Sequence, residues 1–517
     1  MALSFINQIK QYIQKPEHCR PQLTLREPER KRLCSAVLAS AVFGMALAAP
    51  FSSSAASPMS AAPGAGTRLA KVLAAPAPSV LHLAVEESQL VSPGEDGAVL
   101  GTYETVRCTD EDEAAAAQAL RRMGSRIRRR MEADAGKGAS DLSSALLMRR
   151  ADTNALSFLE TCALTDENGS PSECWYGHNY DPVTGSAYAL DDVILDTRLL
   201  AQQIVDALET AYLQGGDADE LIPSVRRLIY RNELAWTIDY DGISFWIPAE
   251  YLDLAETAGP LLHVKLAYHE DEGLISEKLK FLPDSYIAAL SPDERFTMTG
   301  EDDDAHLLSL QEWRNASTKQ RIMTVGLDNR TAIADLTYWS YRPYVMHSDG
   351  KNYLYLDTAE DDLRLMQVYD LNVSSLESPE TLLCGFSEGD ALPTDPARFS
   401  VEKKCDLLGS YRISRNYCVG DDGLTALDSS YRIDGETIRL RLKRDIPAEE
   451  VVRDGDGSRL RTRPLPEGAE LVLRATDGES TVDLYEELTG RTYRFTVEPG
   501  VPQLIQGVSV TDLFEFL

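Results

Sequence analysis

Apolar and polar residues alternate along much of the chain after residue 79, and this pattern predicts a protein built largely from strands. The clearest stretch runs from Trp236 to Lys265. Within it, Asp241-Gly242 predicts a two-residue hairpin turn, because both residue types tolerate positive φ. The expected cross-strand pairs on one buried face are Tyr240 with Ile243, Ile238 with Phe245, and Trp236 with Ile247. A slip by one residue would expose this apolar set to water.

The segments that flank this hairpin predict helices and one more strand. After Pro248, residues 249–259 predict a short helix that ends at Gly259, and Leu262, Val264 and Leu266 then alternate as a strand. Three longer helices are predicted upstream, and Thr109 or Asp110 is expected to cap the first of them, with acidic residues in its first turn. Their expected ranges are 110–135, 197–214 and 219–231. Helices against antiparallel strands predict an α+β domain over residues 79–287.

The C-terminal half predicts mainly short strands. Residues 288–337 are mixed and polar, and predict a connector with a short helix near Leu307 to Trp313. Residues 338–400 predict a β-meander with a turn at Asp349-Gly350, and residues 401–517 a β-rich module. The predicted fold class is therefore α+β, an antiparallel sheet with packed helices followed by a β-rich C-terminal region.

The N-terminal 78 residues predict export. Residues 1–32 end in a basic flank, residues 33–50 are uncharged and apolar, and Ala46-Leu47-Ala48 fits a small-residue cleavage site. The apolar run is also near the lower length limit for a membrane span, so a cleaved signal peptide and a single membrane anchor both remain open. Residues 51–78 predict a flexible linker rich in Ser, Ala and Pro.

Several of these motifs resemble a known family. The hairpin pattern W-x-I-x-x-D-G-I-x-F-x-I-x-P-x-E-Y, followed by A-x-x-A-G and a strand, resembles the extracellular domain of the RsiV family. Upstream stretches agree in order, at Arg149 to Glu160 and Asn179 to Asp196, so the likeness covers about residues 79–275. The segment NGSPSECWYGHNYD departs from the family, which often has a Gly-Gly-x-His turn there. Residues 465–498 resemble the bacterial SH3-like barrel pattern.

The RsiV resemblance implies a function in binding. That family comprises membrane-anchored anti-sigma factors of bacteria whose extracellular part binds lysozyme. It therefore implies an exported, non-catalytic binding or sensing protein whose ligand is a lysozyme-like protein or a wall component. The divergent loop from Asp166 to Tyr180 is where we expect ligand contacts, since loops on a rigid sheet usually carry recognition. The candidate ligand-binding residues in that loop are Trp175, Tyr176, His178, Asn179 and Tyr180.

Charge narrows the choice of partner. The formal net charge is −31, and residues 1–32 are basic, so the exported body is still more acidic. Such a body disfavours nucleic acid as a partner and favours a cationic one, although a need for solubility alone also accounts for the negative charge.

One basic cluster, Arg126 to Arg130 (RIRRR), lies near the end of the first predicted helix. A solvated helix end and a patch for an anionic ligand are its two interpretations.

The sequence offers little that would carry catalysis or bind a cofactor. It contains no H-E-x-x-H, C-x-x-C, P-loop or G-x-S-x-G pattern, so we predict no enzyme, metal or cofactor. Two alternatives stay open: a cell-wall hydrolase or its accessory subunit, and a membrane-anchored anti-sigma factor. Disulfide connectivity cannot be deduced, and buried thiols are an equal alternative. The cysteines after the leader are Cys108, Cys162, Cys174, Cys384, Cys405 and Cys418.

Overall fold

A computed structural model describes residues 78–92, 98–110, 112–166, 168–212, 218–254, 260–300, 304–314, 321–336, 340–360, 363–373, 376, 380–387, 391–420, 423–435, 437–454 and 457–517. The predicted leader, apolar run and nearly all of the linker lie outside these residues. Among the described residues, no helix combines the length and hydropathy that crossing a membrane requires. The α+β fold class is confirmed, with strands predominating.

The first sheet carries a long helix on one face. Its strands follow chain order and are β1 (Leu83–Val91), β2 (Val99–Cys108), β3 (Ser140–Ala151), β4 (Leu156–Thr165) and β5 (Pro171–Tyr180). Between the parallel β2 and β3 lies α1 (Ala114–Ala135), which buries Leu120, Met123 and Ile127 against the sheet. The helix starts later than predicted and has no acidic residue in its first turn. Asp110 does not cap it and instead accepts a 2.9 Å bond from the backbone N–H of His82.

A smaller sheet follows, packed against helices. Its strands are β6 (Ala235–Ile238), β7 (Gly242–Pro248) and β8 (Leu261–Ala267), and the helices are α2 (Leu190–Val193), α3 (Thr197–Tyr212), α4 (Ile222–Arg231) and α5 (Glu277–Lys280). The predicted apolar stripe of α3 is confirmed, with Leu200, Ile204 and Leu208 buried. The predicted helix after Pro248 is wrong in its described part. A 3₁₀ turn over Ala249–Leu252 ends there, and residues 255–259 lie outside the described residues.

The hairpin prediction is correct for five of the six residues of the buried face and wrong for the register. The sixth residue, Tyr240, packs in a different core, against Tyr286. Trp236 pairs with Phe245, and Ile238 with Ile243, so the strands are displaced by two residues from the predicted pairing. A shift of two preserves the face, because side chains alternate with a period of two. Asp239 to Gly242 forms the connection, with a 2.8 Å bond from the Asp239 N–H to the Gly242 carbonyl.

Two sheets occupy the region predicted as connector and meander. The predicted helix at Leu307 to Trp313 is wrong, because those residues lie within the strand Ala305–Arg314, where Leu308 and Leu310 alternate inward. The meander around Asp349-Gly350 is confirmed by the paired strands Ser340–Ser348 and Lys351–Glu360. The four-stranded sheet is β10 (Arg295–Thr299), β11 (Ala305–Arg314), β12 (Arg321–Leu327) and β13 (Arg330–Asp335). The five-stranded sheet is β9 (Ser285–Ala289), β14 (Ser340–Ser348), β15 (Lys351–Glu360), β16 (Leu363–Asp370) and β17 (Glu380–Leu382).

The C-terminal region is β-rich, as predicted. Its large sheet contains β18 (Gly385–Phe386), β19 (Phe399–Cys405), β20 (Tyr411–Gly420), β21 (Gly423–Ala426), β22 (Tyr431–Asp434), β23 (Arg439–Leu442), β24 (Ile446–Asp454), β25 (Gly457–Leu465), β26 (Glu470–Thr476), β27 (Thr481–Glu486), β28 (Arg491–Thr496) and β31 (Phe514–Phe516). A short pair, β29 (Leu504–Ile505) and β30 (Val508–Ser509), and α6 (Val510–Leu513) complete it. The SH3-like barrel is wrong: across the described residues these strands form an open sheet.

A buried charge network joins three of these sheets. Arg149 of β3 donates from Nε to Asp239 and from Nη1 to Glu294, each at 2.9 Å. Lys265 of β8 donates to Asp241 at 2.9 Å and to Glu294 at 2.7 Å. Burial alone disfavours ionisation of Glu294, but the charges of Arg149 and Lys265 outweigh it and lower the pKa of Glu294. Because all five groups are nearly inaccessible, this network serves the packing of the sheets.

Candidate functional site

The predicted ligand-binding loop is a strand. Residues 171–180 form β5, which pairs antiparallel with β4 from Leu156 opposite Tyr180 to Thr165 opposite Pro171. The two strands end at Thr165 and begin at Pro171, and between them the Asp166 N–H donates to the Ser170 carbonyl at 2.9 Å. Side chains on β5 therefore alternate between two faces, and the five candidate residues do not share one surface.

One face of β5 packs against the β6–β7 hairpin. Trp175 is half-buried there beside Trp246, and the Asn179 amide donates to the Trp236 carbonyl at 2.8 Å. Gly177 lies between them, where an added Cβ would come within 1.9 Å of the Trp236 carbonyl oxygen. Trp175 and Asn179 therefore hold two sheets together, and the structure gives them no open surface for a ligand.

The other face carries Tyr176, His178 and Tyr180 beneath α1. His178 and Tyr180 are buried, whereas Tyr176 keeps 36% of its surface exposed. Buried Glu160 of β4 lies among them: His178 Nε2 is 2.8 Å from one carboxylate oxygen, and Arg130 Nη1 donates to the same oxygen at 2.8 Å. Arg130 also covers the Tyr176 ring at 4.1 Å. Tyr176 is thus the one candidate residue that this face presents to solvent.

Glu160 is held ionised by its neighbours. Burial alone would raise its pKa, but hydrogen bonds from His178, Arg130 and Ser144, together with the positive charge of Arg130, lower the pKa to about 2. An ionised carboxylate can only accept hydrogen bonds, so the Nε2 atom of His178 must be the donor. The carboxylate in turn fixes the guanidinium of Arg130 over the Tyr176 ring.

The basic cluster of α1 extends along this face. Arg122, Arg126 and Arg130 are spaced four residues apart, and so form one stripe of the helix. Arg122 and Arg126 are exposed and make no hydrogen bond or ion pair among the described residues. Both act electrostatically on the Tyr180 hydroxyl, opposing the rise in its pKa that burial causes. We call these three arginines with Tyr176 the arginine edge.

The two interpretations of the RIRRR cluster, a solvated helix end and a patch for an anionic ligand, apply to different arginines. Arg128 bonds Glu132 at 2.8 Å on the exposed side of the helix, and Arg129 donates to the Ser125 carbonyl, as expected of a solvated helix end. Arg126 and Arg130 instead face β5. In all, α1 carries six arginines and two acidic residues in a protein of net charge −31.

Three buried polar atoms beside the arginine edge have no hydrogen-bond partner among the described residues: His178 Nδ1, Arg130 Nε and the Tyr180 hydroxyl oxygen. Unsatisfied buried groups are uncommon, and each costs roughly 1–3 kcal/mol. All three atoms are buried, so they lie behind the exposed surface of the edge.

Comparisons with known proteins find only weak similarity to solved structures. No family model and no curated protein matches this chain. Two solved structures of DUF3298 family proteins are similar to it. One from Bacteroides fragilis has 10% identity and a TM-score of 0.27, covering 39% of this chain and 96% of its own. One from Pseudomonas aeruginosa has 13% identity and a TM-score of 0.28, covering 40% and 98%. We take no functional role from either.

Two cavities lie elsewhere in the fold. One of about 440 Å³ has no cationic lysine or arginine in its lining, which consists of Leu282, Pro283, Asp284, Tyr286, Thr299, His347, Asp349 and Gly350. The Tyr286 ring is already stacked on both faces, against Tyr240 at 4.2 Å and His347 at 5.1 Å. A basic cavity of about 150 Å³ contains Arg364 and Arg412, but Glu402 lies 3.0 and 3.5 Å from them. Glu402 therefore pairs with both arginines of the second cavity, whose lining also includes Lys403, Lys404 and Tyr411.

The described residues hold no group of three or more His, Cys, Asp or Glu side chains placed to bind a metal ion.

Of the residues at the arginine edge, the sequence pattern identified Arg126 and Arg130 but not Arg122 or the Glu160 that holds Arg130. The spacing of four from Arg122 to Arg126 was the available signal for the first. For Glu160 there was none, because its contact with His178 depends on the β4–β5 register.

Proposed function

We propose that this protein is an exported, non-catalytic binding protein with an RsiV-like domain, and that it binds a cell-wall component bearing carboxylate or phosphate groups at the arginine edge. The observation that carries the proposal is the placement of Arg122, Arg126 and Arg130 in one stripe of the helix, with Tyr176 packed against Arg130 at its end. Export rests on the basic and apolar leader.

Guanidinium chemistry supports the choice of an anionic ligand. Arginine presents planar donors that match carboxylate and phosphate oxygens in pairs, and an aromatic ring beside it adds a flat contact surface. Arg130 is already neutralised by Glu160, so it positions the Tyr176 ring, while Arg122 and Arg126 supply the free positive charge. The protein carries a net charge of −31, so this edge is a local basic surface on an acidic body.

A cationic, lysozyme-like protein is the second candidate. The net charge of −31 favours it, since opposite charge accelerates encounter and makes it sensitive to salt. Such a ligand would dock on acidic surface and avoid the arginine edge. The two candidates therefore predict opposite effects when the arginines are removed.

The test is a set of calorimetric titrations of the purified full chain at low and moderate salt. The ligands are soluble peptidoglycan fragments, which carry carboxylates, inorganic polyphosphate, which carries phosphates, and lysozyme. Saturable binding of fragments or polyphosphate supports the proposal, and the stronger of the two identifies the anionic group. Binding of lysozyme alone supports the second candidate. Release of new reducing ends from peptidoglycan would instead favour the hydrolase alternative.

A further inference from the structure

We infer that Cys162 and Cys174 form a disulfide bond across the β4–β5 hairpin once the folded protein meets a disulfide oxidant. The two residues lie directly opposite each other in the strand register. Both are free thiols in this structure. The inference concerns the covalent state of the hairpin and does not depend on the proposed ligand.

The hydrogen-bond pattern of the hairpin sets the distance between the two residues. Asp166 and Ser170 form a hydrogen-bonded pair, because the Asp166 N–H donates to the Ser170 carbonyl. Hydrogen-bonded and non-hydrogen-bonded pairs alternate along antiparallel strands, so Cys162 and Cys174, four positions along, form a hydrogen-bonded pair as well. Such pairs place their Cα atoms about 5.5 Å apart, within the range that disulfides span.

The surroundings decide which thiol reacts first. Cys162 is buried beneath the end of α1, and burial raises the pKa of its thiol. Cys174 is half-buried, two residues from the exposed Tyr176. The Cys174 thiolate therefore attacks an external disulfide, such as oxidised glutathione, and releases one glutathione thiol. Cys162 then gives up its proton and attacks the Cys174 sulfur, releasing the second glutathione thiol and closing the bond.

A bridge here would fix the end of β5 that carries Tyr176. The hairpin tip between the two cysteines overlaps the segment that departs from the RsiV pattern, and its residues 168–173 are exposed. Closing a loop of this size removes freedom from the unfolded chain. The bond thus replaces a core that the exposed tip does not have.

Peptide mapping of the native full chain tests the inference. The protein is incubated with oxidised glutathione, alkylated and digested after glutamate residues, which cuts between the two cysteines at Glu167 and Glu173. We expect fragment 161–167 linked to the fragment that begins at Cys174, and two fewer free thiols per chain. Reduction before alkylation should separate the two fragments.

Variants make the result specific. Cys174→Ser should abolish the linked pair, whereas Cys405→Ser, a buried cysteine of the C-terminal sheet, should leave it intact. The inference is overturned if the wild type gives no linked pair, if Cys174 keeps glutathione without resolving, or if Cys174 pairs with a different cysteine. Because no ligand is added, these outcomes are independent of the binding titrations.

Discussion

Replacing Glu160 by glutamine tests whether the arginine edge is built on a buried ion pair. The change keeps the shape of the side chain but removes the charge that holds Arg130 and His178. The pKa of Glu160 falls from an ordinary 4.5 to about 2 in the folded protein, and each pKa unit corresponds to about 1.4 kcal/mol. Ionised Glu160 therefore stabilises the fold by about 3 kcal/mol at neutral pH.

The sign of the pH dependence follows from that shift. A lowered pKa gives stability that is complete above about pH 4.5 and is lost as the pH falls toward 2. We expect Glu160→Gln to reduce the free energy of unfolding by about 3 kcal/mol at pH 7, and the gap to the wild type to close between pH 4.5 and 2.

Urea unfolding followed by tryptophan fluorescence measures this gap, because Trp175, Trp236 and Trp246 lie in the neighbouring sheets. Glu132→Gln is the matched control: its partner Arg128 is exposed on the same helix, so its loss should cost less than about 0.5 kcal/mol. A gap that is absent at pH 7, or that stays constant as the pH falls, would refute the assignment of Glu160.

Three further predictions concern the fold and export. Gly177→Ala should destabilise the protein by about 2 kcal/mol or more, because its Cβ would collide with the Trp236 carbonyl; an unchanged urea midpoint would contradict the close approach. Phe245→Ala should cost about 3–5 kcal/mol in urea unfolding, whereas Tyr230→Ala, at a side chain 91% exposed, should stay within about 0.5 kcal/mol; equal effects would contradict the buried face. Mass spectrometry of the protein from its native source should show export, with a new N-terminus near Ala48 if the leader is cleaved; the body in the cytosol would contradict export.

The strands were predictable where alternation is regular, and the hairpin shows the limit of that signal. Its buried face followed from the sequence because apolar residues repeat with a period of two. Its register did not, because the residues at and just before the predicted Asp241-Gly242 turn have distant partners. Asp239 bonds Arg149 and Asp241 bonds Lys265, and the Tyr240 ring stacks on Tyr286. These tertiary contacts override the local preference of the turn.

The prediction of a helix from Leu307 to Trp313 was wrong for a related reason. Its short apolar pattern fits one turn of helix or one strand equally well, and only the neighbouring β10 and β12 decide for a strand. Similarly, a polar and aromatic segment that departs from a family pattern was interpreted as a loop. The strand β5 satisfies its polar residues through Glu160 and the Trp236 backbone, partners that lie far away in sequence.

Of the candidate site, the sequence predicted only the basic cluster and not the arrangement of its side chains. The RIRRR cluster is evident in the sequence, but which of its arginines face a sheet depends on how α1 lies over β5. The spacing of four links Arg122 to Arg126, but only the packing of α1 shows which side of the helix this stripe occupies. The alternation of β5 separates Tyr176 from Trp175 and Asn179, so three of the five predicted residues share a face and one is exposed.

The most direct test of the arginine edge compares two double variants in the same titration. Arg122→Gln with Arg126→Gln removes the free charge of the edge, while Arg226→Gln with Arg227→Gln removes equal charge from exposed positions on α4. If the edge binds the anionic ligand, the first variant should weaken affinity for the bound wall fragment or polyphosphate by roughly tenfold or more, about 1.4 kcal/mol, and reduce its salt dependence. The second should bind as the wild type does. Equal affinities for both variants would contradict an anion-binding role for the arginine edge.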